Sequence, residues 1–331
     1  MRILVTGSTG FIGGHLIDKL LQDNEDIVCL VRKKSNTERL EKLGIELRVG
    51  NLDGAGLKEA VKDIDVVYHL AAYYTFLGKK HLYEKFNTQG TRKIRDAALN
   101  AGVGHFIYCS STEALGASRN NDLLTETAPP SPLNDYGRSK LKSEQLISET
   151  PLDELPWTIV RPTGVMGPRQ KSDIAYDFIV ALAKRDLAVK FIVGKGNTLL
   201  HFTHVFDIVH GLKQIIETGE PTYGQTYHLA CDNPLTTKEA IETICEGLNR
   251  PPPKFHIPAF AAKVLLLPIQ IFNWVRRKPA FFYKVSTVRD VTINRGYANM
   301  KAKVEIGFSP QFTMREGILA TISAYKEEKI I

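Results

Sequence analysis

The sequence predicts an α/β protein: a doubly wound parallel sheet carrying a smaller, discontinuous, mostly helical region. Three observations lead there. Short β-branched apolar runs alternate with segments of helical periodicity from Ile3 to Val160. A glycine-rich turn, Gly7-Ser8-Thr9-Gly10-Phe11-Ile12-Gly13, stands between the first run and the first helical segment. After Pro168 the alternation loosens into short helices, long loops and the run Pro251-Pro252-Pro253.

The elements follow in order. Ile3-Leu4-Val5 is a buried strand, and Phe11, Ile12, Leu16 and Leu20 fall at helical spacing behind it. Asp26 to Val31 is a second strand, Glu38 to Leu43 a short helix, and Ile45 to Val49 a third strand. Leu57 to Lys62 is helical, and Val66 to Leu70 is another buried strand. Leu82 to Asn100 reads as one helix ending at Gly102, a residue suited to the position after a helix. Phe106 to Cys109 is a strand, Tyr136 to Glu149 a helix, and Trp157 to Val160 a strand. Two later pieces return to the sheet layer: a helix near Val205 to Glu217 and the strand Tyr227 to Ala230. Residues 1–168, rejoined by about 201–231, therefore form the sheet domain, and 169–200 with 232–331 form the second region. Strand–helix alternation requires right-handed crossovers.

Composition excludes much. The 331 residues are 43% hydrophobic and 24% charged, as in ordinary globular chains. Cys29, Cys109, Cys231 and Cys245 form no C-x-x-C pair and no zinc-spaced cluster, so no metal site is expected. Scattered thiols and the absence of a signal-peptide shape point to a reducing, cytoplasmic setting. The formal charge of +7 first raises nucleic acid or an anionic surface. No helix-turn-helix, zinc finger or aromatic–basic surface supports nucleic acid.

The glycine turn has a physical logic. Gly7 permits the tight turn, Gly10 lets backbone N–H groups approach a pyrophosphate, and Gly13 lets the helix pack closely on the sheet. The helix N-terminus stabilises the phosphate charge. This is a Rossmann arrangement, with Thr9, Phe11 and Ile12 among the expected cofactor contacts. The end of the second strand selects the nucleotide, since an acid there bonds the ribose of NAD. Here it reads Arg32-Lys33-Lys34, which suits a 2′-phosphate, so NADP(H) is expected over NAD(H); the alternative is a solvated basic loop.

Tyr136 and Lys140 form a Y-x-x-x-K on a helix, where i and i+4 share a face. A lysine ammonium there should stabilise the phenolate and bring Tyr136 towards neutral pH as an acid–base group. The helix follows the strand end Cys109-Ser110-Ser111-Thr112, and carboxyl ends of parallel strands line the ligand crevice. Ser111 can then bond a substrate oxygen beside Tyr136. Tyr73, Tyr74 and Phe76, just past the fourth strand, and Thr112 with Glu113 are candidate substrate contacts.

With these motifs in place, the chain resembles the extended short-chain dehydrogenase/reductases of the NAD-dependent epimerase/dehydratase superfamily, over nearly its full length. The resemblance is carried by Thr6 to Gly13, His69 to Ala72, Asn87 to Thr91, Ser110 to Thr112, Tyr136 to Lys140, Arg161 to Gly164 and His204 to Asp207. It implies catalysis by Ser111, Tyr136 and Lys140, with Lys140 on the cofactor ribose. It also implies Leu70, Ala71 and Ala72 beside the pyrophosphate and ribose, and Pro162, Gly164 and Val165 near the nicotinamide. Asn51 and Leu52 would lie at the adenine, with Asn51 standing where the family often has an acid. Asn87 would help order the active-site helix. A homodimer pairing the helices near Leu82 and Tyr136 is the family default.

Within the family, epimerases often read R-Y-F-N-V-Y-G-P where this chain has Arg161 to Pro168, so their sugar-binding asparagine is Gly164 here. Their diphosphate-binding arginine falls on Leu200, and the dehydratase Asp-Glu pair is Thr112-Glu113. The remaining pattern is nearer to hydroxysteroid dehydrogenases and dihydroflavonol reductases. It implies an NADP(H)-dependent oxidoreductase interconverting a hydroxyl and a keto group on a moderately apolar small molecule. A sugar or nucleotide-sugar epimerase/dehydratase and a non-catalytic NADP(H) sensor are the alternatives. Residues 259–275, AFAAKVLLLPIQIFNWV, are almost wholly apolar. Their core-facing half is read as a buried helix broken at Pro268, with a pocket roof or a peripheral membrane contact as alternatives, the latter with Arg276-Arg277-Lys278 at lipid headgroups.

Overall fold

The computed structural model describes all residues except 76–77, 185, 187–188 and 276–284, with backbone alone at 273–275. Phe76 and the Arg276-Arg277-Lys278 cluster thus lie outside the described residues.

Seven strands form the central sheet. β1 (Arg2–Thr6), β2 (Asp26–Val31), β3 (Glu46–Val49), β4 (Val66–His69), β5 (His105–Cys109) and β6 (Trp157–Pro162) belong to it. Short two-stranded pieces follow: β7 (Gly164–Met166), β8 (Phe191–Val193), β9 (Leu199–Leu200) and β10 (Phe202–His204). β11 (Gln225–Leu229) rejoins the large sheet, before β12 (Leu235–Thr236) and β13 (Phe255–Ile257). The order is β11-β6-β5-β4-β1-β2-β3, with every pair parallel. Ile3 aligns with both Ile27 and Val66, so β1 is central and the strand order reverses beside it. Ligands of open α/β sheets bind at such a reversal, outside the carboxyl ends.

The helices are α1 (Phe11–Gln22), α2 (Glu38–Lys42), α3 (Leu57–Ala60), α4 (Lys80–Tyr83), α5 (Gly90–Asn100) and α6 (Asp135–Ser148). Then come α7 (Ile174–Ala183), α8 (Val205–Thr218), α9 (Thr237–Gly247), α10 (Ala259–Val275), α11 (Val285–Asp290), α12 (Met300–Ile306) and α13 (Met314–Glu327). Two apolar layers flank the sheet: Leu16 and Ile17 with Ile208 and Leu212 on one face, and Ile94, Ala98 and Ile147 on the other. A third cluster joins α7, α9 and α13.

Two expected elements differ. The single helix over Leu82 to Asn100 contains a π-helical stretch, Glu84–Gln89, between α4 and α5. A π turn keeps helical periodicity roughly intact, so the sequence pattern does not reveal it. The segment 259–275 is not a buried helix broken at Pro268. α10 runs through Pro268, and of its described side chains only Ala262 is buried, at 5% exposure. Leu265 is 59% exposed and Leu267 50%. Among the described elements it packs chiefly on α11, which has six residues.

Candidate active site

The glycine turn is as tight as the sequence requires. Gly7 has φ +74°, and a Cβ there would meet the Ala71 backbone nitrogen at 2.8 Å. A Cβ on Gly13 would lie 2.2 Å from the Gly7 carbonyl oxygen, and one on Gly10 3.0 Å from it. α1 opens at Gly10 with no capping side chain and no acid in its first turn. Its uncompensated N-terminal donors therefore suit an anion. This cradle, which any Cβ would fill, fits a dinucleotide pyrophosphate.

The neighbouring strand end is fixed by a buried polar chain. Thr6 Oγ1 accepts from the Ala71 N–H at 3.1 Å and lies 2.8 Å from His69 Nδ1; His69 Nε2 lies 3.0 Å from Thr91 Oγ1. Burial holds His69 down to about 3, so the ring stays neutral and bonds at both nitrogens. That holds Leu70 and Ala71 against the turn.

The expected reacting side chains sit just past the end of β5, at Ser111, and on α6, at Tyr136 and Lys140. Asn134 caps α6, its Oδ1 accepting from Gly137 N at 2.7 Å. Gly137 must be glycine, because a Cβ would meet the Glu113 carbonyl oxygen at 2.2 Å. Lys140 donates to the Cys109 carbonyl at 2.6 Å and lies 4.7 Å from the Tyr108 ring centroid. Burial lowers Lys140 to about 8. One turn further on, Glu144 takes Arg161 in a bidentate buried pair, at 2.9 and 2.7 Å, and also accepts from Ser110. These contacts fasten α6 across the ends of β5 and β6. Asn87, on the π-helical stretch, accepts from Tyr73 N at 2.7 Å and donates to Ser139 Oγ at 2.9 Å. It thereby ties the segment after β4 to the active-site helix.

Ser111, Tyr136 and Lys140 line one cleft of about 570 Å³ together with Gly7, Gly10, Phe11, Ile12 and Gly13. Leu70, Ala72, Pro162, Gly164 and Val165 continue its wall, and Tyr74, Thr112 and Glu113 close one side. The other expected residues stand elsewhere. Thr9 is exposed and Ala71 sits behind the turn, neither on the cleft wall. Asn51 accepts from Asp53 N at 3.0 Å, and Leu52 packs where a Cβ on Gly90 would touch it. Tyr73 packs behind the lining residue Tyr83, ring centroids 5.1 Å apart, and is not on the cleft wall. Arg32, Lys33 and Lys34 are exposed at the end of β2, and their side chains make no hydrogen bond or ion pair among the described residues. Among those residues no group of three or more His, Cys, Asp or Glu could hold a metal.

One electrostatic expectation is corrected. Tyr136 is not brought down towards neutrality by Lys140: desolvation pushes its hydroxyl well above the usual value. The ammonium is instead committed to the Cys109 carbonyl and the Tyr108 ring.

Asp173 and Arg295 line the cleft with no functional reading in the sequence. Tyr74 packs edge-on against Tyr136 at 4.9 Å and donates to Asp173 Oδ1 at 2.9 Å. Burial raises Asp173 to about 6. Its signal was available: an aspartate before an apolar helical run is a helix cap, and Asp173 accepts from Ile174 N at 2.6 Å. Arg295 reaches Glu113 at 2.9 Å from 182 residues away, a pairing no local pattern announces. Burial pushes Glu113 up, but Arg295 and Asn134 outweigh it and hold the carboxylate below its ordinary range. Phe202 occupies the space beside Gly164, where a Cβ would be 2.4 Å from its ring. Leu200, also on the cleft wall, is 5% exposed.

Comparison with known proteins agrees with this geometry. The family model for the NAD dependent epimerase/dehydratase family matches residues 3–230. The sterol-4-alpha-carboxylate 3-dehydrogenase, decarboxylating, of Mus musculus is 26% identical over 338 residues, covering 98% of this chain and 91% of that protein. The 3-beta-hydroxysteroid dehydrogenase of Mycolicibacterium neoaurum is 25% identical, covering 98% and 92%. Among solved structures, gox2253 superposes with a TM-score of 0.81 at 27% identity, covering 99% of this chain and 98% of that one. UDP-glucuronic acid 4-epimerase from Bacillus cereus, solved with NAD, shares the fold at a TM-score of 0.78 and 22% identity, covering 99% of each chain. The chain belongs to the NAD-dependent epimerase/dehydratase family of extended short-chain dehydrogenase/reductases, and is an NAD(P)-dependent enzyme acting on CH–OH groups.

Proposed function

We propose that this enzyme is an NADP(H)-dependent oxidoreductase that interconverts a hydroxyl and a keto group on a moderately apolar substrate. The observation that carries the reading is the convergence of Ser111, Tyr136 and Lys140 with the glycine cradle on one cleft. The apolar substrate is supported by Phe202 filling the space beside Gly164 and by Leu200 on the wall, which leave no polar anchor at either position for a sugar diphosphate. Relatives named for sterol and hydroxysteroid oxidation support it too. Arg32, Lys33 and Lys34 at the end of β2, exposed, without a side-chain partner among the described residues and with no acid among them, support the phosphorylated cofactor.

The bound nicotinamide supplies or accepts the hydride. Gly7, Gly10 and Gly13 with the first turn of α1 would hold its pyrophosphate, and Arg32 its 2′-phosphate. Tyr136, with its hydroxyl raised by desolvation, keeps its proton through neutral pH and is ready to give it to a substrate carbonyl oxygen. Ser111 donates to the same oxygen. Its own Oγ accepts from Glu113 N at 3.2 Å, which leaves the hydroxyl proton for the substrate. Lys140, anchored on Cys109, sets positive charge 5.9 Å from the Tyr136 ring centroid and favours the phenolate as it forms.

The test is NADPH absorbance in the presence of apolar cyclic ketones. Net, stoichiometric loss of NADPH is expected, with slower loss from NADH. Interconversion of nucleotide sugars with no net change in cofactor would overturn the reading, because an epimerase recycles its hydride.

A further inference from the structure

We propose that α10 is a membrane-surface helix that seats the mouth of the substrate cleft on an anionic lipid bilayer. The inference does not rest on the oxidoreductase reading. Its first observation is packing. Ala262, Leu266 and Gln270 lie one turn apart, and along this stripe Ala262 is buried and Leu266 and Gln270 half-buried. α10 packs against α11, and Gln270 Oε1 accepts from Val285 N at 2.7 Å. The broad remaining face is apolar and exposed: Phe260 at 75%, Val264 at 57%, Leu267 at 50% and Ile271 at 53% form one line of it. Surface apolar residues are ordinary singly, whereas a continuous face marks an interaction site.

The second observation is charge. Between Gly247 and Arg289 the sequence holds eight of the chain's 43 lysines and arginines and none of its 36 acids. The rest of the chain is therefore near neutral, at −1, and the net +7 belongs to this stretch. Of the described cations, Lys263 is exposed on α10 itself and Lys254 is exposed shortly before the helix in sequence. An apolar helical face in an acid-free, cationic stretch of sequence fits acyl chains beneath anionic headgroups. A second copy of the chain fits poorly, since a two-fold interface would set this cationic segment against itself. At 17 residues α10 falls short of the roughly 20 needed to span, and no described helix is long and apolar enough to cross a membrane.

The third observation is position. α11, the element α10 packs on, supplies Ser286, Arg289 and Asp290 to the cleft wall. Lipid against α10 would thus lie beside the entrance, a short path for an apolar substrate.

The experiment is co-sedimentation of the full chain with phosphatidylcholine vesicles, with and without phosphatidylglycerol. Mass measurement by analytical ultracentrifugation and thermal midpoints run in parallel. Wild type should pellet with the phosphatidylglycerol vesicles, and at least about tenfold less with phosphatidylcholine alone. Val264→Glu/Leu267→Glu and Lys254→Glu/Lys263→Glu should each lower binding about tenfold, with thermal midpoints unchanged. Failure of wild type to pellet, or equal pelleting on both vesicles, would overturn the proposal. So would a wild-type dimer that Val264→Glu/Leu267→Glu dissociates, because α10 would then be covered by its own kind. The two variants act on different forces, so unfolding of one leaves the other to decide.

Discussion

β1 and α10 are both apolar in sequence, and the structure gives them opposite fates. Ile3, Leu4 and Val5 are fully buried, whereas Phe260, Val264, Leu265 and Leu267 are each at least half exposed. The difference lies in the neighbours. β1 has a strand on each side and packed helices on both faces, so every apolar side chain finds a partner. α10 has a six-residue helix on one stripe. Hydrophobicity specifies that a side chain leaves water, and the partner that receives it is specified by the rest of the chain. Around β1 the partner is intramolecular. For α10 the described residues supply a partner along one stripe alone.

Single truncations would break this contrast most directly. Leu16→Ala, at a fully buried position of α1, is expected to cost about 2–5 kcal/mol in chemical denaturation. Leu267→Ala, on α10, should stay within about 0.5 kcal/mol of wild type. Comparable losses at both sites would mean that α10 is covered in the isolated protein. The basic residues of the two regions should also separate by role. Arg32→Ala should weaken NADPH binding about 10- to 100-fold, the loss of one charge-assisted phosphate contact, and leave NADH unaffected. Lys263→Ala should change neither. Equal effects of Arg32→Ala on both cofactors would assign that cluster to solvent.

A smaller, distributed effect concerns pH. Burial holds His15, His105, His201 and His204 near 4, and His69 and His228 near 3, against 6.5 in an unfolded chain. Below pH 6.5 the unfolded chain therefore binds more protons than the folded one, and stability falls as pH falls. Asp173 and Asp207, raised by burial to about 6 from 3.8, act in the opposite sense over part of the window. Six groups outweigh two, so the thermal midpoint should drop steadily from pH 6.5 towards 4. A midpoint that holds level or rises over that range would contradict these assignments.

The sheet, and the meeting of Ser111, Tyr136 and Lys140 on one cleft, were legible because local patterns dictate them. A β-branched run, a glycine turn and a Y-x-x-x-K each fix a geometry within a few residues. Ser111, Tyr136 and Lys140 needed only the strand order to meet. What escaped depends on distant or three-dimensional facts. Tyr73 and Tyr74 are adjacent in sequence, yet one packs on Tyr83 and the other faces Tyr136. The ion pair of Glu113 with Arg295 spans most of the chain. The high-lying Tyr136 hydroxyl follows from desolvation in the cleft, which spacing alone does not express. The exposure of α10 among the described residues depends on what packs beside it, and a single segment does not encode the extent of its surroundings.

The central claim is that Tyr136 delivers the proton in a reaction that consumes NADPH. The most direct test compares wild type with Tyr136→Phe in turnover of an apolar ketone, with NADPH binding followed by fluorescence. Turnover should fall about 10²- to 10⁴-fold, the usual contribution of a positioned acid, while NADPH affinity stays unchanged. Wild-type turnover in Tyr136→Phe would contradict the account.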